Sequence, residues 1–465
     1  MYPHTRSLTF LFQFLENMIL GIDIGTTSVK VAFCEHGKIV HEEFKAHKSY
    51  VNMPDAKFKE QDVSIILSCL TEILESVPSC FRENVSKISI CGQMHGVCLW
   101  NERDKLVFEE ICDTRVNVRL ITWEDGRCSP EFLATLPNSN FGPIYSGFGM
   151  STLCWLQENK QKELMSYEYC GGVMDYISWA LCQSEVVMGD QIAFSWGYFD
   201  PTTCNWEKAL LLPRFDVVVP LLPEVKRTGE CAGVLKNSWV SIPKGTSVNV
   251  STGDFQCAVL AAEIGVNAPN HRNMVLNLGT SCQLGYTNIR NSTSLNCQNL
   301  WPYFSAQSVL VNASLNGGNV LSHCISQVTD FVKSIGFTNL EEKDVWDLVG
   351  SLKFNSNPGF EYNGALFGER NAPNGKVVLC NITPSCHFNL TNLLSAVVIG
   401  LLKNVLKMTP NDYEISSHSR LLCIGSIFRN QLIQDAVKHV FACRTIDFMD
   451  NCSSARGAAF SCIKH

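Results

Sequence analysis

The sequence predicts an α/β protein made of two related domains. Three observations predict it. Apolar β-branched runs alternate along the chain with segments whose apolar residues recur at helical spacing. A strand–turn–strand pattern near the start, LGIDIGTTSVKVAF, returns as NMVLNLGTSCQLGY from Asn273. The 465 residues also exceed what one ordinary core holds. The expected division is an extension over 1–17, a first domain over 18–252 and a second over 253–465, with the boundary placed to within about ten residues.

The chain opens on MYPHTRSLTFLFQFLENM. Its apolar stretch is broken by Gln13 and followed by Glu16 rather than a small-residue cleavage site, and it is too short to span a bilayer. The favoured reading is an extension ahead of a second possible start, Met18. Ile22, Ile24 and Val29 to Phe33 then form two β-branched runs around a glycine-led turn, a hairpin pattern. Asp23 stands inside the first run, where an unpaired buried carboxylate would cost several kcal/mol. Two readings stay open from these residues alone. Asp23 caps the turn, or it faces a cleft and holds a hydrated cation while Gly25, Thr26 and Thr27 turn N–H and hydroxyl groups to phosphate.

Residues 61–77 have helical spacing. Residues 87–100 read as strand, polar turn and strand, and 120–128 as a strand running into a polar patch. STLCWLQEN and DYISWALC read as helices. In IPKGTSVNVSTGDFQCAVLAAEIG, Pro-Lys-Gly-Thr makes a turn, VNVS a strand and FQCAVLAAEIG a helix. The second half restarts at residue 273 with a hairpin whose tip is Gly279-Thr280-Ser281.

Composition narrows the function. A net charge of −7 with no Lys/Arg run argues against nucleic acid as a partner. An anionic substrate must then be held by local donors and metal. The 22 cysteines are scattered singly, many in apolar segments, with no CxxC pair or zinc spacing. A reduced, cytoplasmic protein is the expectation. No stretch reads as a membrane span, so no membrane partner is expected, and the chain is expected to act as a monomer or homodimer.

There is no GxxxxGK[ST] loop and no GxGxxG spacing. Phosphate would have to be held by glycine turns, at Gly25, at Gly279-Thr280, at Gly317-Gly318 and at Gly425-Ser426, where unpaired N–H groups are presented. One such turn is usually only a turn; four in one chain are a pattern. STGDFQ puts Asp254 at the first turn of a helix, as an N-cap or as a general base for a hydroxyl attacking a phosphoryl group. In GQMHG, Gln93 and His95 interrupt a β-like segment. With TWEDGRC, which supplies Trp123, Asp125 and Arg127, they look like a pocket for a hydroxyl-rich ligand.

On these segments the chain resembles the FGGY family of carbohydrate kinases, within the actin/hexokinase/Hsp70-like superfamily. The likeness runs from Met18 onward through GIDIGTTSVK, CGQMHG, TWEDGRCSPEFLATLP, DQIAFSWGYFD, IPKGT, GDFQ, ASLNGGNVL, LFGER and ARGAA. TWEDGRC, SWGYF and ASLNGGNVL most resemble the branch acting on a seven-carbon ketose. The resemblance implies two actin/hexokinase-like (ribonuclease H-like) domains with a catalytic cleft between them, and ATP and Mg²⁺ used to phosphorylate a ketose. The alternatives it leaves are another sugar, such as xylulose, or an ATP-binding protein without phosphotransfer. It implies Asp254 as catalytic base and sugar contact, Asp23 as the Mg²⁺ carboxylate, and Gln93, Met94, His95, Trp123 and Asp125 around the sugar. Gly25, Thr26, Thr27, Lys30, Gly279, Thr280, Gly317, Gly318, Gly425, Ser426, Arg429 and Asn430 are implied in nucleotide binding. Ile424-Gly425-Ser426 stands where related kinases have two consecutive glycines, which puts nucleotide preference in question.

Overall fold

A computed structural model describes residues 18–105, 118–266, 272–289, 299–384, 386–410, 420–441, 443, 445–450 and 452–463. The extension read over 1–17 lies outside the described residues. The chain divides into two compact units, one running to Cys257 and including the segment from Ser453 on, the other running from Ala258 to Cys452.

The first unit is built on a seven-stranded sheet. Strand β1 (Met18–Ile24) is buried at all seven positions because it has partners on both sides. It runs antiparallel to β2 (Ser28–Glu35), which pairs antiparallel with β3 (Lys38–Ala46), and parallel to Val85–Gly92. The far side of Val85–Gly92 takes two short parallel partners in succession: Ser247–Asn249 near its start and Thr252–Gly253 at its end. Cys231–Val234 closes that edge antiparallel to Ser247–Asn249.

Helix α1 (Val63–Ser76) starts two residues later than its spacing predicts. Gln61 belongs to the strand Glu60–Asp62, and the Asp62 carboxylate accepts the Ser64 N–H at 2.8 Å as N-cap. Its Ile66, Leu70, Ile73 and Leu74 are buried. The predicted strand–turn–strand over 87–100 is present but divided between two sheets. Val97–Trp100 pairs with Arg119–Ile121 and Tyr169–Gly171. The chain breaks at His95, whose φ of 73° turns the backbone out of the first sheet.

The last helix, Ser454–Ser461, lies against β1 and β2. Its alanines allow close approach: a Cβ added at Gly21 would stand 2.1 Å from the Ala455 carbonyl oxygen and 2.6 Å from the Ala459 nitrogen. Arg456 pairs with Glu42 of β3, and Ser453 Oγ donates to the same carboxylate at 2.9 Å. Sequence order groups these residues with the second half; their contacts belong to the first unit.

The second unit repeats the strand plan. Asn273–Leu278 and Cys282–Tyr286 form a hairpin extended antiparallel by Ser308–Ser314, while the other edge of Asn273–Leu278 pairs parallel with Arg420–Ile424, itself parallel to Thr445–Met449. That is the order of β3, β2, β1, Val85–Gly92 and Ser247–Asn249 in the first unit. One expectation is corrected here. Leu390–Lys407 has 18 residues and a mean hydropathy of 1.4, long and apolar enough to cross a membrane. Its Leu394, Val397, Leu401, Leu402 and Val405 are buried in the core of this unit, which is why the run is so apolar. The described cysteines are all free thiols.

Gly21→Val tests the seat of the last helix. The added side chain must displace the Ala455–Ala459 backbone, so a loss of about 1–3 kcal/mol is expected. Thermal melting should show a lower midpoint and limited proteolysis faster cleavage near Ser453; unchanged behaviour in both would refute the packing.

Candidate active site

Register assembles the first-unit site. Asp23 of β1 lies opposite Lys30 of β2 on one side and Cys91 on the other, and Cys91 lies opposite Thr252. Lys30, Asp23, Cys91 and Thr252 thus form one row across four strands. Lys30 Nζ donates to Asp23 Oδ2 at 3.1 Å, and Cys91 Sγ stands 3.9 Å from Oδ1. Asp23 is 2% exposed, so this lysine is what makes the strand tolerable, a partner that sequence reasoning had given to phosphate. The Asp23 charge in turn raises the Lys30 pKa against the opposing effect of burial.

The next row is Ile24, Gly92 and Gly253. A Cβ on Gly92 would meet the Ile24 carbonyl oxygen at 2.5 Å, and one on Gly253 would meet Gln256 Oε1 at 2.2 Å and Met94 Sδ at 2.6 Å. Asp254 follows directly, as the first residue of the helix Asp254–Gly265. The loop is held from outside: Gly253 N–H donates to Gln191 Oε1 at 3.0 Å. Asp254 Oδ1 accepts the Phe255 N–H at 2.7 Å, so it does steady the helix start. Its pKa is nevertheless pushed up to about 7, first by burial and then by the Asp23 charge, with Phe255 N–H and Lys30 pulling the other way.

The turn Gly25–Thr27 is tied to the predicted pocket residues. Thr26 Oγ1 accepts from Trp123 Nε1 at 3.0 Å, and the Thr26 carbonyl accepts from Gln61 Nε2 at 2.7 Å. Gln61 Oε1 accepts from Gln93 Nε2 at 2.9 Å. His95 stacks on Phe148 at 4.3 Å, its N–H donates to Ser195 Oγ at 3.2 Å, and its Nδ1 lies 2.8 Å from the Ser195 carbonyl oxygen. A carbonyl only accepts, so Nδ1 carries a proton. Met94 is buried beside Gly253. Gln61, Gln191 and Ser195 were missed from sequence, because nothing in their spacing connects them to these residues.

Asp125 is committed elsewhere. Its two oxygens accept from Arg127 N, Nε and Nη2 at 2.8 to 3.0 Å and from the Lys59 N–H at 2.8 Å. Arg127 also donates to Glu60 at 2.8 Å and lies over the Phe58 ring. This buried cluster shapes the loop behind Trp123.

In the second unit three of the predicted turns meet. Gly318 N–H donates to the Gly279 carbonyl at 2.8 Å and Asn319 N–H to that of Thr280 at 3.2 Å. A Cβ on Gly317 would lie 2.4 Å from the Ser281 carbonyl carbon, and one on Gly425, whose φ is 127°, 2.7 Å from the Leu278 oxygen. Gly279 faces open space. Asn430 Oδ1 caps the helix Gln431–Val440, accepting from Leu432 N–H at 2.9 Å, and its amide donates to the Val349 carbonyl at 3.2 Å. Arg429 is exposed, 3.9 Å from Asp450.

Among the described residues no three His, Cys, Asp or Glu side chains gather as a metal cage. The first unit offers Asp23 with Asp254 within electrostatic reach. That donor set suits a Mg²⁺ ion, which keeps most of its waters and is shared with phosphate oxygens.

The hairpin turn and the buried acids lie at the carboxyl ends of parallel strands, where open α/β sheets bind their ligands. Residues 18–261 match the FGGY family of carbohydrate kinases, N-terminal domain. The chain belongs to that family: it is a sugar kinase, phosphorylating a sugar at the expense of ATP. It is 31% identical over 467 residues to sedoheptulokinase of Homo sapiens, covering 95% of this chain and 96% of that one. Among solved structures it superposes on xylulose kinase from Rhodospirillum rubrum with a TM-score of 0.75 at 16% identity, over 96% of this chain and 89% of that one. Plasmodium falciparum glycerol kinase with ADP gives 0.72 at 17%, over 97% and 90%. The expected actin/hexokinase-like two-domain fold is therefore the fold of this chain.

The raised pKa of Asp254 has a sign. The folded state holds this proton more tightly than the unfolded chain, so ionising Asp254 costs nothing below about pH 4, costs more as pH rises to about 7, and a constant amount above. Asp254→Asn should therefore raise the melting midpoint at pH 8, through a gain of up to about 4 kcal/mol of stability, and leave it unchanged near pH 4. A variant that melts lower than the parent at pH 8 would show that this carboxylate is not strained.

Proposed function

We propose that the chain transfers the γ-phosphoryl group of ATP to the terminal primary hydroxyl of sedoheptulose, giving sedoheptulose 7-phosphate and ADP, a product that enters the pentose phosphate pathway. The single observation that carries the mechanism is Asp254, an acid held near pKa 7 two residues beyond Thr252, in the row that contains Asp23 and Lys30. The choice of sugar rests on the likeness to human sedoheptulokinase over almost the whole of both chains.

A sugar hydroxyl is a weak nucleophile. In this reading the Asp254 carboxylate accepts its proton as the oxygen attacks the γ-phosphorus, and the bond to the ADP oxygen breaks. A pKa near 7 lets Asp254 be ionised before the step and hold the proton after it. Gln191 keeps the base in place through Gly253. The N–H groups of Thr26 and Thr27 and the Lys30 ammonium sit where charge on the transferring group develops. Asp23 is the carboxylate that would hold Mg²⁺, which when bound neutralises phosphate charge. Gln93, His95 and Trp123 are the hydroxyl partners and aromatic face of the sugar, while Asp125 supports the loop. Gly279, Thr280, Gly317, Gly318, Gly425 and Ser426 receive the nucleotide; Asn430 supports their turn as a helix cap.

Two measurements decide this. Among sedoheptulose, D-xylulose, D-ribulose and glycerol, sedoheptulose should give the highest kcat/KM; a preference for D-xylulose would replace the substrate assignment and leave the kinase intact. The pH profile of kcat/KM should rise about tenfold per unit below pH 7 and level off above it. Asp254→Asn, with the chain folded, should lower kcat by about 10²–10⁴ and abolish that limb. A flat profile, or near-normal turnover by the variant, would remove Asp254 from the chemistry.

A further inference from the structure

The LFGER segment is marked in the sequence, yet the phosphotransfer reading gives it no task. In the fold, Glu369 of this segment is 8% exposed and its carboxylate gathers four donors. Oε1 accepts from Ser314 Oγ at 2.6 Å, Asn404 Nδ2 at 2.8 Å and Asn316 Nδ2 at 3.1 Å. Oε2 accepts the Leu315 backbone N–H at 3.0 Å. Three of these donors are consecutive residues, Ser314, Leu315 and Asn316, the stretch that leaves the strand Ser308–Ser314 and leads into Gly317.

Asn316 extends the tie. It is fully buried, its amide also donates to the Gly368 carbonyl at 2.8 Å, and its oxygen accepts the Phe367 N–H at 2.9 Å. The Leu315–Asn316 backbone is thereby fixed to the loop 367–369 from both sides. The next residues, Gly318 and Asn319, donate their N–H groups to the Gly279 and Thr280 carbonyls. A displacement of Asn316 would therefore be passed within three residues to the hairpin tip at Gly279. There is no slack to absorb it, because Gly317 already lies against the Ser281 backbone.

We propose that Glu369 is a positioning residue that sets the Gly279 and Gly317 turns and, through them, the affinity of the enzyme for nucleotide. This rests on the reading of those turns as the nucleotide-binding segments. Glutamine has nearly the shape of glutamate but replaces one acceptor oxygen by a donor, so in Glu369→Gln at least one of the four bonds must become a donor–donor clash.

The full-length chain should be titrated with ADP by calorimetry, and its kinetics measured with ATP and sedoheptulose varied separately. Glu369→Gln should raise the ADP Kd and the KM for ATP at least tenfold, with the KM for sedoheptulose and kcat at saturating ATP within about twofold of the parent. If Glu369→Gln does not fold, Asn404→Ala, which removes one donor, should raise the KM for ATP about threefold or more and leave the sugar KM unchanged. The proposal is overturned by an ADP affinity equal to the parent's, or by an equal loss for both substrates with a fallen melting point. A parent that binds no ADP would bring down the nucleotide reading itself, and this inference with it; a parent that binds ADP beside an unaffected Glu369→Gln sinks only the inference.

Discussion

The site depends on one ion pair, a buried carboxylate met by a partly exposed lysine. Asp23 is surrounded by strands, and a lone carboxylate there would cost more than a small domain can spare. Lys30 removes that cost from the facing position of the hairpin, at 3.1 Å. Removing Lys30 would leave that carboxylate buried and unpaired, so the pair holds the hairpin register as well as its charge. A slip of one residue would turn Asp23 and every apolar neighbour to the opposite face. Because register is held, the row continues through Cys91 to Thr252, and Asp254 emerges two residues further on.

Two acids of the first unit show how environment assigns roles. Asp125 and Asp254 both stand in polar patches of the sequence. Asp125 is met by a guanidinium and a backbone N–H that take up both its oxygens, so its charge is spent inside the protein. Asp254 has the Phe255 N–H, the distant Lys30 and the opposing field of Asp23, and its proton is held up to about pH 7. A carboxylate that is fully partnered makes scaffold; one left short of partners can exchange a proton.

The two units use one strand plan for different ends. Each begins with a hairpin whose first strand has a parallel neighbour on its other edge. In the first, the carboxyl ends of these strands carry Asp23 and Asp254. In the second, they carry glycine turns that touch backbone to backbone, with no side chain able to stand between Gly317 and Ser281. The acid of that unit, Glu369, lies behind the turns and braces them. Repetition fixed where the open ends lie, and divergence filled them with carboxylates in one unit and closely packed glycine turns in the other.

Much of this was written in the chain. Alternating runs gave the α/β class, the paired GTT and GTS hairpins gave the internal repeat, and GDFQ marked an acid at a helix start, all because strand, turn and helix-cap preferences act over a few neighbouring residues. What the sequence could not hold was partnership over distance. That Lys30 answers Asp23 follows from hairpin register, that Gln191 holds Gly253 from two elements 62 residues apart, and that Ser453–Ser461 belongs with β1 from small residues fitting a glycine across most of the chain. Local propensity cannot encode such pairs, since the free energy that selects them comes from burial and from charges left without water, and these exist only once the chain has closed on itself.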